Sequence, residues 1–208
     1  MATLTKTPYT AGSGNCRRTN NETWADARSG TTANAVDSSG GVELMAAAQP
    51  GVATNWLYRG FAQFDISSIP KNSTINSAVI TITFSVQEDG DSGALCVEES
   101  TQPSSTALAV AHYNDLAALN SPTQFAPQIV FSGASNPETF TFNQNGLNRI
   151  EEIVNDGDTW LKLAFRERKD LENDSSTGAN KVNCNLDTIS LTVTYTPPSG
   201  GSFLYNFV

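Results

Sequence analysis

The chain has 208 residues, 38% of them hydrophobic and only 16% charged, with a formal net charge of −9. A surface of that sign repels phosphate backbones, so no nucleic-acid partner is expected. No run approaches the ~20 apolar residues of a membrane-spanning helix, so no membrane partner is expected either. Ser, Thr, Asn and Gly fill the remainder, which is the chemistry of strands and surface loops. Cys16, Cys96 and Cys184 are odd in number and unpaired in spacing, which predicts free thiols rather than disulfides or a CxxC metal site.

Residues 1–41 are polar and rich in Gly, Ser and Thr, interrupted by Trp24-Ala-Asp-Ala-Arg28. No apolar core follows Lys6, so no secretory signal is expected. Val42 to Ala48 reads as a short strand ended by Gln49-Pro50-Gly51. Leu57 to Ile66 carries apolar residues on both parities, which predicts a central strand covered on both faces, or one with a bulge. From Ile75 to Val86 the alternation is strict. Ala78, Ile80, Ile82, Phe84 and Val86 share one parity, while hydroxyl side chains dominate the other. Such a strand has one dry face and one wet face, and the dry face must lie on a second layer.

Asp89-Gly90-Asp91 breaks that strand, and Gly93 to Thr101 resumes extended structure. Tyr113, Leu116 and Leu119 suggest a short helix or turn; Ile129 to Phe131 and Thr139 to Phe142 read as short strands. The convincing helix is Gly146 to Asn155, with Leu147, Ile150 and Ile153/Val154 as its apolar stripe, Asn143 or Asn145 to cap it and Gly157 to close it. Asp158 to Arg166 is a strand with Leu161, Leu163 and Phe165 on one face. Asp170 to Lys181 reads as a polar loop, and Thr188 to Tyr195 as the last strand. The expected fold is all-β: an antiparallel jelly-roll β-sandwich of about ten short strands over residues 1–197, with one short capping helix.

Several segments resemble the DNRLRE domain family, β-sandwich modules named from a disaggregatase-related repeat. They are Trp24-Ala-Asp-Ala-Arg28-Ser-Gly30, Arg59-Gly-Phe-Ala-Gln-Phe-Asp-Ile-Ser-Ser-Ile-Pro70, Ile75-Asn-Ser-Ala78 and Leu191-Thr-Val-Thr-Tyr195. The resemblance spans residues 24–197 and implies a jelly-roll binding or structural module, often linked to carbohydrate recognition. Arg59 and Asp65 are expected to anchor neighbouring loops through charge-assisted hydrogen bonds.

Catalytic chemistry is hard to assemble from these residues, and no enzyme is expected. His112 is the single histidine and has no nucleophile-elbow sequence nearby. Glu98, Glu99, Glu151 and Asp156 offer carboxylates but no distinct pair for glycoside hydrolysis. Asp89 and Asp91, and less so Asp156 and Asp158, are candidate oxygen ligands for Ca2+; no other cofactor is expected. Trp56 and Tyr58 are a candidate aromatic platform for a cell-surface glycan.

After Tyr195 the chain writes Thr196-Pro-Pro-Ser-Gly-Gly201, a stiff and then flexible linker. Residues 198–208 form that linker and a hydrophobic segment, with Phe203, Tyr205 and Phe207 on one parity and Leu204 and Val208 on the other. A segment apolar on both faces gains by docking, through strand addition to a neighbouring chain. The expectation is a virion structural protein of a bacteriophage: a head decoration (cement) protein, or a fibre or tail accessory protein. It would assemble in the host cytoplasm and hold copies of itself or other virion proteins through residues 203–208. The alternative is a freestanding carbohydrate-binding module of a bacterial surface protein.

Overall fold

The computed structural model describes residues 1–19, 22–38, 56–120, 122–134, 136–175 and 178–199, together with the backbone of 43–49. Its strands are β1 (Ala2–Lys6), β2 (Gly14–Arg18), β3 (Ala35–Asp37), β4 (Glu43–Gln49), β5 (Trp56–Asp65), β6 (Thr74–Ile82) and β7 (Val86–Asp89). They continue with β8 (Ala94–Glu99), β9 (Ile129–Val130), β10 (Glu138–Thr141), β11 (Trp160–Glu167), β12 (Asn180–Asn185) and β13 (Ile189–Thr196). Helices α1 (Trp24–Ser29), α2 (Gln144–Asp156) and α3 (Arg168–Glu172) complete the chain, with single 3-10 turns between strands.

One sheet has the order β1-β13-β6-β10, and the path β5-β11-β8-β9 runs through the other. All pairings are antiparallel, and this interleaved order is that of a jelly roll. The alternation seen in the sequence is the cause. Leu191, Ile80 and Phe140 stand in one cross-strand row, all buried, and Phe165 pairs with Val97 in the facing sheet. Each such side chain contributes roughly 1.5–3 kcal/mol by leaving water. Helix α2 closes the core with Ile150, Ile153 and Val154. Its start is capped by Asn143, whose Oδ1 accepts from the Gly146 N–H at 3.2 Å, and its end by Gly157 at φ 82°.

Strand β5 is covered on both faces, as its double parity predicts. Ala62, Phe64 and Ile66 enter the core between the sheets. Leu57 and Phe61 enter a second apolar cluster with Cys16, Ala27, Leu108, Tyr113, Leu116 and Ala164, roofed by α1 and the 3-10 turn Val110–Asn114. Along one edge β5 pairs with β2; along the other it pairs first with β4, at Trp56 to Tyr58, and then with β11, from Gly60 to Asp65.

Two expectations are corrected. The strand from Ile75 stops at Ile82, because residues 83–85 cross between sheets: the Phe84 N–H donates to Asn136 Oδ1 and the Ser85 N–H to the Asn183 carbonyl, at 2.8 Å each. Val86 then begins β7, which pairs with β12. The stretch from Asp170 is no plain loop: Asp170 is fully buried inside α3, and Asn180–Asn185 is a strand with Val182 and Cys184 in the core. The polar start holds three strands, β1, β2 and β3, and a helix, α1, whose N-cap Thr23 accepts from the Asp26 N–H at 3.1 Å. Of the helices among the described residues only α2 is longer than two turns, in keeping with the single capping helix expected.

Candidate functional site

Strand registers place several chain reversals on one rim of the sandwich. Leu57 pairs with Arg18 on one side and Ala48 on the other; Ala48 pairs with Asn180, and Asn180 with Asp89. The end of β2, the end of β4, the start of β5, the end of β7 and the start of β12 therefore share this rim. Trp56 and Asp89 both sit on it, about 14 Å apart at three strand spacings. The opposite end holds Asp65, Thr74 and Thr196, with Thr196 paired to Thr74. At ten residues, β5 sets the two ends about 30 Å apart.

On the rim, Trp56 is 40% exposed, whereas Tyr58 is 8% exposed. Arg17 pairs with Tyr58 in register and holds its guanidinium 5.9 Å from the Tyr58 ring centre. Trp56 is therefore the exposed ring of the two, and Tyr58 is the one that carries Arg17 over it. Asp89 and Asp91 act in the next reversal: Asp89 Oδ1 accepts from the Gly93 N–H at 2.7 Å, and Asp91 lies 3.6 Å from Lys169 Nζ. Among the described residues no group of three or more His, Cys, Asp or Glu is placed to hold a metal ion. Asp158 accepts from the N–H groups of Thr159 and Trp160, and His112 Nδ1 accepts from the Ala109 N–H, each within its own turn.

Beneath the loops of the outer sheet face lies a buried ionic network. Asp170 receives two guanidinium groups side on. Arg59 donates from Nε and Nη2 at 2.8 and 2.9 Å, and Arg166 from Nε and Nη2 at 2.9 and 3.1 Å. Arg28 donates to the Asp170 carbonyl at 2.6 Å and reaches Asn120 and the Leu119 carbonyl. Arg59 also donates to the Arg28 carbonyl and to Asn114, and lies 4.4 Å over the Tyr113 ring. Burial alone raises the Asp170 pKa; Arg59 and then Arg166 reverse that and hold it well below the usual carboxylate range.

Glu98 accepts from Arg166 Nη1 at 3.2 Å, but its second oxygen is buried with no hydrogen-bond partner. Its pKa is pushed up to about 7, because burial outweighs Arg166. Glu167, in the neighbouring strand gap, is likewise pushed to about 7 by burial against the N–H groups of Lys169 and Ala94 that it accepts. These groups fasten α1, α3 and the 110–120 segment to the sheet. Arg59 thus anchors loops as the sequence suggests, and Asp65 does so locally by accepting from the Ser67 N–H at 2.9 Å.

The sequence reading missed Asp170, Arg166 and Arg28 as members of this network. The available signal was two arginines, Arg59 and Arg166, embedded in apolar strands. Glu99, a candidate carboxylate, pairs with Arg149 at 2.7 Å beside a cleft of about 230 Å³ lined also by Phe125 and Asn145, while Glu151 and Asp156 line the exposed face of α2. The assembly residues Phe203, Leu204, Tyr205, Phe207 and Val208 lie outside the described residues. No helix among the described residues is long and apolar enough to cross a membrane. No protein-family model matches the chain, and no curated protein does.

Proposed function

We propose that this chain is a non-enzymatic structural protein of a bacteriophage particle, a head-decoration or fibre/tail accessory subunit, attached through residues 203–208. The reading is carried by the two-ended layout of the fold. Thr196 hands the chain to Pro197-Pro198 at one end, while the rim with Trp56 and the Asp89 reversal lies at the other. A subunit tethered at one end presents the opposite rim outward. The strongly shifted carboxyl groups Asp170, Glu98 and Glu167 are bound into an internal scaffold that stiffens the loops. The resemblance of residues 24–30 and 59–70 to DNRLRE modules agrees with a binding or structural role.

Sedimentation velocity of the full chain beside a chain ending at Gly201 tests this. The full chain is expected to form a defined oligomer, and the shortened one to lose it. Identical monomers in both cases overturn the reading.

The exposed Trp56 beside Arg17 and Tyr58 favours a second reading, a carbohydrate-binding module. Gel retardation on polysaccharides, relieved by Trp56→Ala, is its expected signature. Unretarded migration on every polysaccharide rules it out.

A further inference from the structure

A strap of chain runs past Glu98 on the outer face of the sheet. It leaves the edge of β8 at Ala117, whose N–H donates to the Glu99 carbonyl at 3.2 Å. It returns where Gln124 bridges to Glu98 and the Phe125 N–H donates to the Val97 carbonyl at 2.9 Å. Between these points the Leu119 carbonyl accepts from Arg166 Nη1 and Nη2 at 3.2 Å each and from Arg28 Nη2 at 3.0 Å. Asn120 Oδ1 accepts from Arg28 Nη1 at 2.9 Å. The strap is thus fastened at its middle by two guanidinium groups.

One of these donors is shared. Arg166 Nη1 reaches Glu98 Oε1 and the Leu119 carbonyl at the same distance, 3.2 Å. Glu98 Oε2 is buried, and among the described residues nothing donates to it. A neutral acid tolerates that arrangement, whereas a carboxylate accepts at both oxygens and is costly to bury half satisfied. Ionised Glu98 therefore competes with Leu119 for Arg166 and demands a further donor at Oε2, which water supplies only if the cover lifts. Of the pieces around Glu98, β11 is held by its sheet pairing and α3 by the side-on contacts of Asp170, so the strap is the part that yields.

The groups facing Glu98 are Arg166 from β11, Arg59 from β5 and Asp170 from α3, with Cys96 beside it on β8. Residues 117–124 contain no ionisable side chain of their own. We propose that Glu98 is a pH-sensitive latch: protonated, it leaves Arg166 to hold the strap at Leu119, and ionised, it releases the strap. The device does not depend on residues 203–208. Burial outweighs Arg166 and pushes the Glu98 pKa up from 4.5 to about 7. The closed strap therefore binds the proton more tightly than the open one. Closure is strongest below about 4.5, weakens about tenfold per pH unit up to about 7, and changes no further above it.

Hydrogen exchange of the Ala117 amide, read beside that of Leu191 in the core sheet, tests this. Ala117 is expected to be less protected than Leu191 at every pH, because the strap opens without global unfolding. Once the intrinsic pH dependence of exchange is divided out, its protection is expected to fall about tenfold per unit from pH 5 to pH 7 and then to level. Glu98→Gln is expected to abolish the slope, and Glu167→Gln, which removes the other raised carboxyl, to retain it.

A pH-independent Ala117 amide in the parent overturns the proposal, as does a slope that survives Glu98→Gln or vanishes in Glu167→Gln. Protection equal to that of Leu191 also overturns it, since the strap would then open only with the whole domain. Should Glu98→Gln fail to fold, the carboxyl carbon-13 shift of Glu98 in the parent carries the test. Its midpoint is expected at about 7, where the slope levels; a midpoint near the ordinary 4.5 overturns the latch.

Discussion

Arg59 and Asp170 are 111 residues apart in sequence and joined side on, Nε to Oδ2 at 2.8 Å and Nη2 to Oδ1 at 2.9 Å, with both side chains fully buried. The pair joins the central strand of one sheet to a five-residue helix that could not hold itself in water. Asp170 also fixes α1, its carbonyl accepting from Arg28 and its carboxylate lying 3.6 Å from that guanidinium, and Arg28 and Arg166 hold the 119–120 segment.

Asp170→Asn is therefore expected to be severe. It removes one charge, leaving the buried Arg59 without a carboxylate partner and Arg166 with Glu98 alone. Breaking a buried pair in this way costs roughly 3–5 kcal/mol, a fall of about 10 °C in melting temperature for a domain of this size. Thermal unfolding followed by circular dichroism measures it. A melting temperature within about 2 °C of the parent would mean that the network contributes little to stability.

The acidic groups set an optimum in pH. The folded pKa values of Glu98 and Glu167, about 7, stand above the ordinary value of 4.5. The folded state therefore holds more protons than the unfolded state between those values, and their contribution, complete below about 4.5, is lost as pH rises through 7. Asp170 acts in the opposite sense: its contribution is complete above the ordinary value of 3.8 and is lost as pH falls below it. Glu98 faces Arg166, Asp170 and Arg59, and Glu167 faces Asp170 and Arg168, so both belong to the same charged layer. These groups place greatest stability near pH 4–5. Melting temperatures measured from pH 3 to pH 8 are expected to decline on both sides, and Glu98→Gln to flatten the alkaline side. A stability that climbs steadily from pH 5 to pH 8 contradicts the assignment.

At the end of α2, Gly157 has φ 82° and open space where a side chain would stand. Substitution with Ala meets no atom, so its cost is conformational alone, about 1 kcal/mol. Gly157→Asn is expected to lose less, because Asn tolerates the left-handed region. Denaturant midpoints with unchanged slopes give the comparison; equal stability of all three chains would remove the glycine cap from the account.

The sandwich was legible in the sequence wherever one face of a strand is dry. Ile80, Leu163 and Leu191 announce themselves by alternation, and α2 by its stripe and its Asn and Gly caps. Strand β12 was not legible, since Asn-Lys-Val-Asn-Cys-Asn offers only Val182 and Cys184 as apolar residues. Its Asn180 is nevertheless fully buried, donating to Glu167 and accepting from the Asp91 N–H. Such burial is conferred by partners distant in sequence. Asp170 was hidden for the same reason: it sits among Lys, Glu and Asn, and its burial depends on Arg59 and Arg166. The rim was only half legible. Trp56 could be singled out as an aromatic beside a loop, but its alignment with Asp89 follows from registers across β4 and β12.

The three thiols offer the simplest check on both apolar layers. Cys16 is fully buried on the outer side of the sheet and donates to the Ala109 carbonyl at 3.4 Å; burial, helped by Asp115, pushes its pKa up to about 12. Burial, and then Glu167, raises Cys96 as well, and Cys184 lies in the core between the sheets. The thiolate is the reacting species, and it is disfavoured where water is excluded. Native protein at pH 8 is therefore expected to be inert to an aromatic disulfide reagent, and unfolded protein to react at all three positions. Rapid reaction of Cys16 alone in the native state would show that the roof made by α1 and residues 110–114 opens readily. Reaction of Cys184 would instead place the opening between the two sheets, and equally slow reaction of both at the rate of global unfolding would show one cooperative unit.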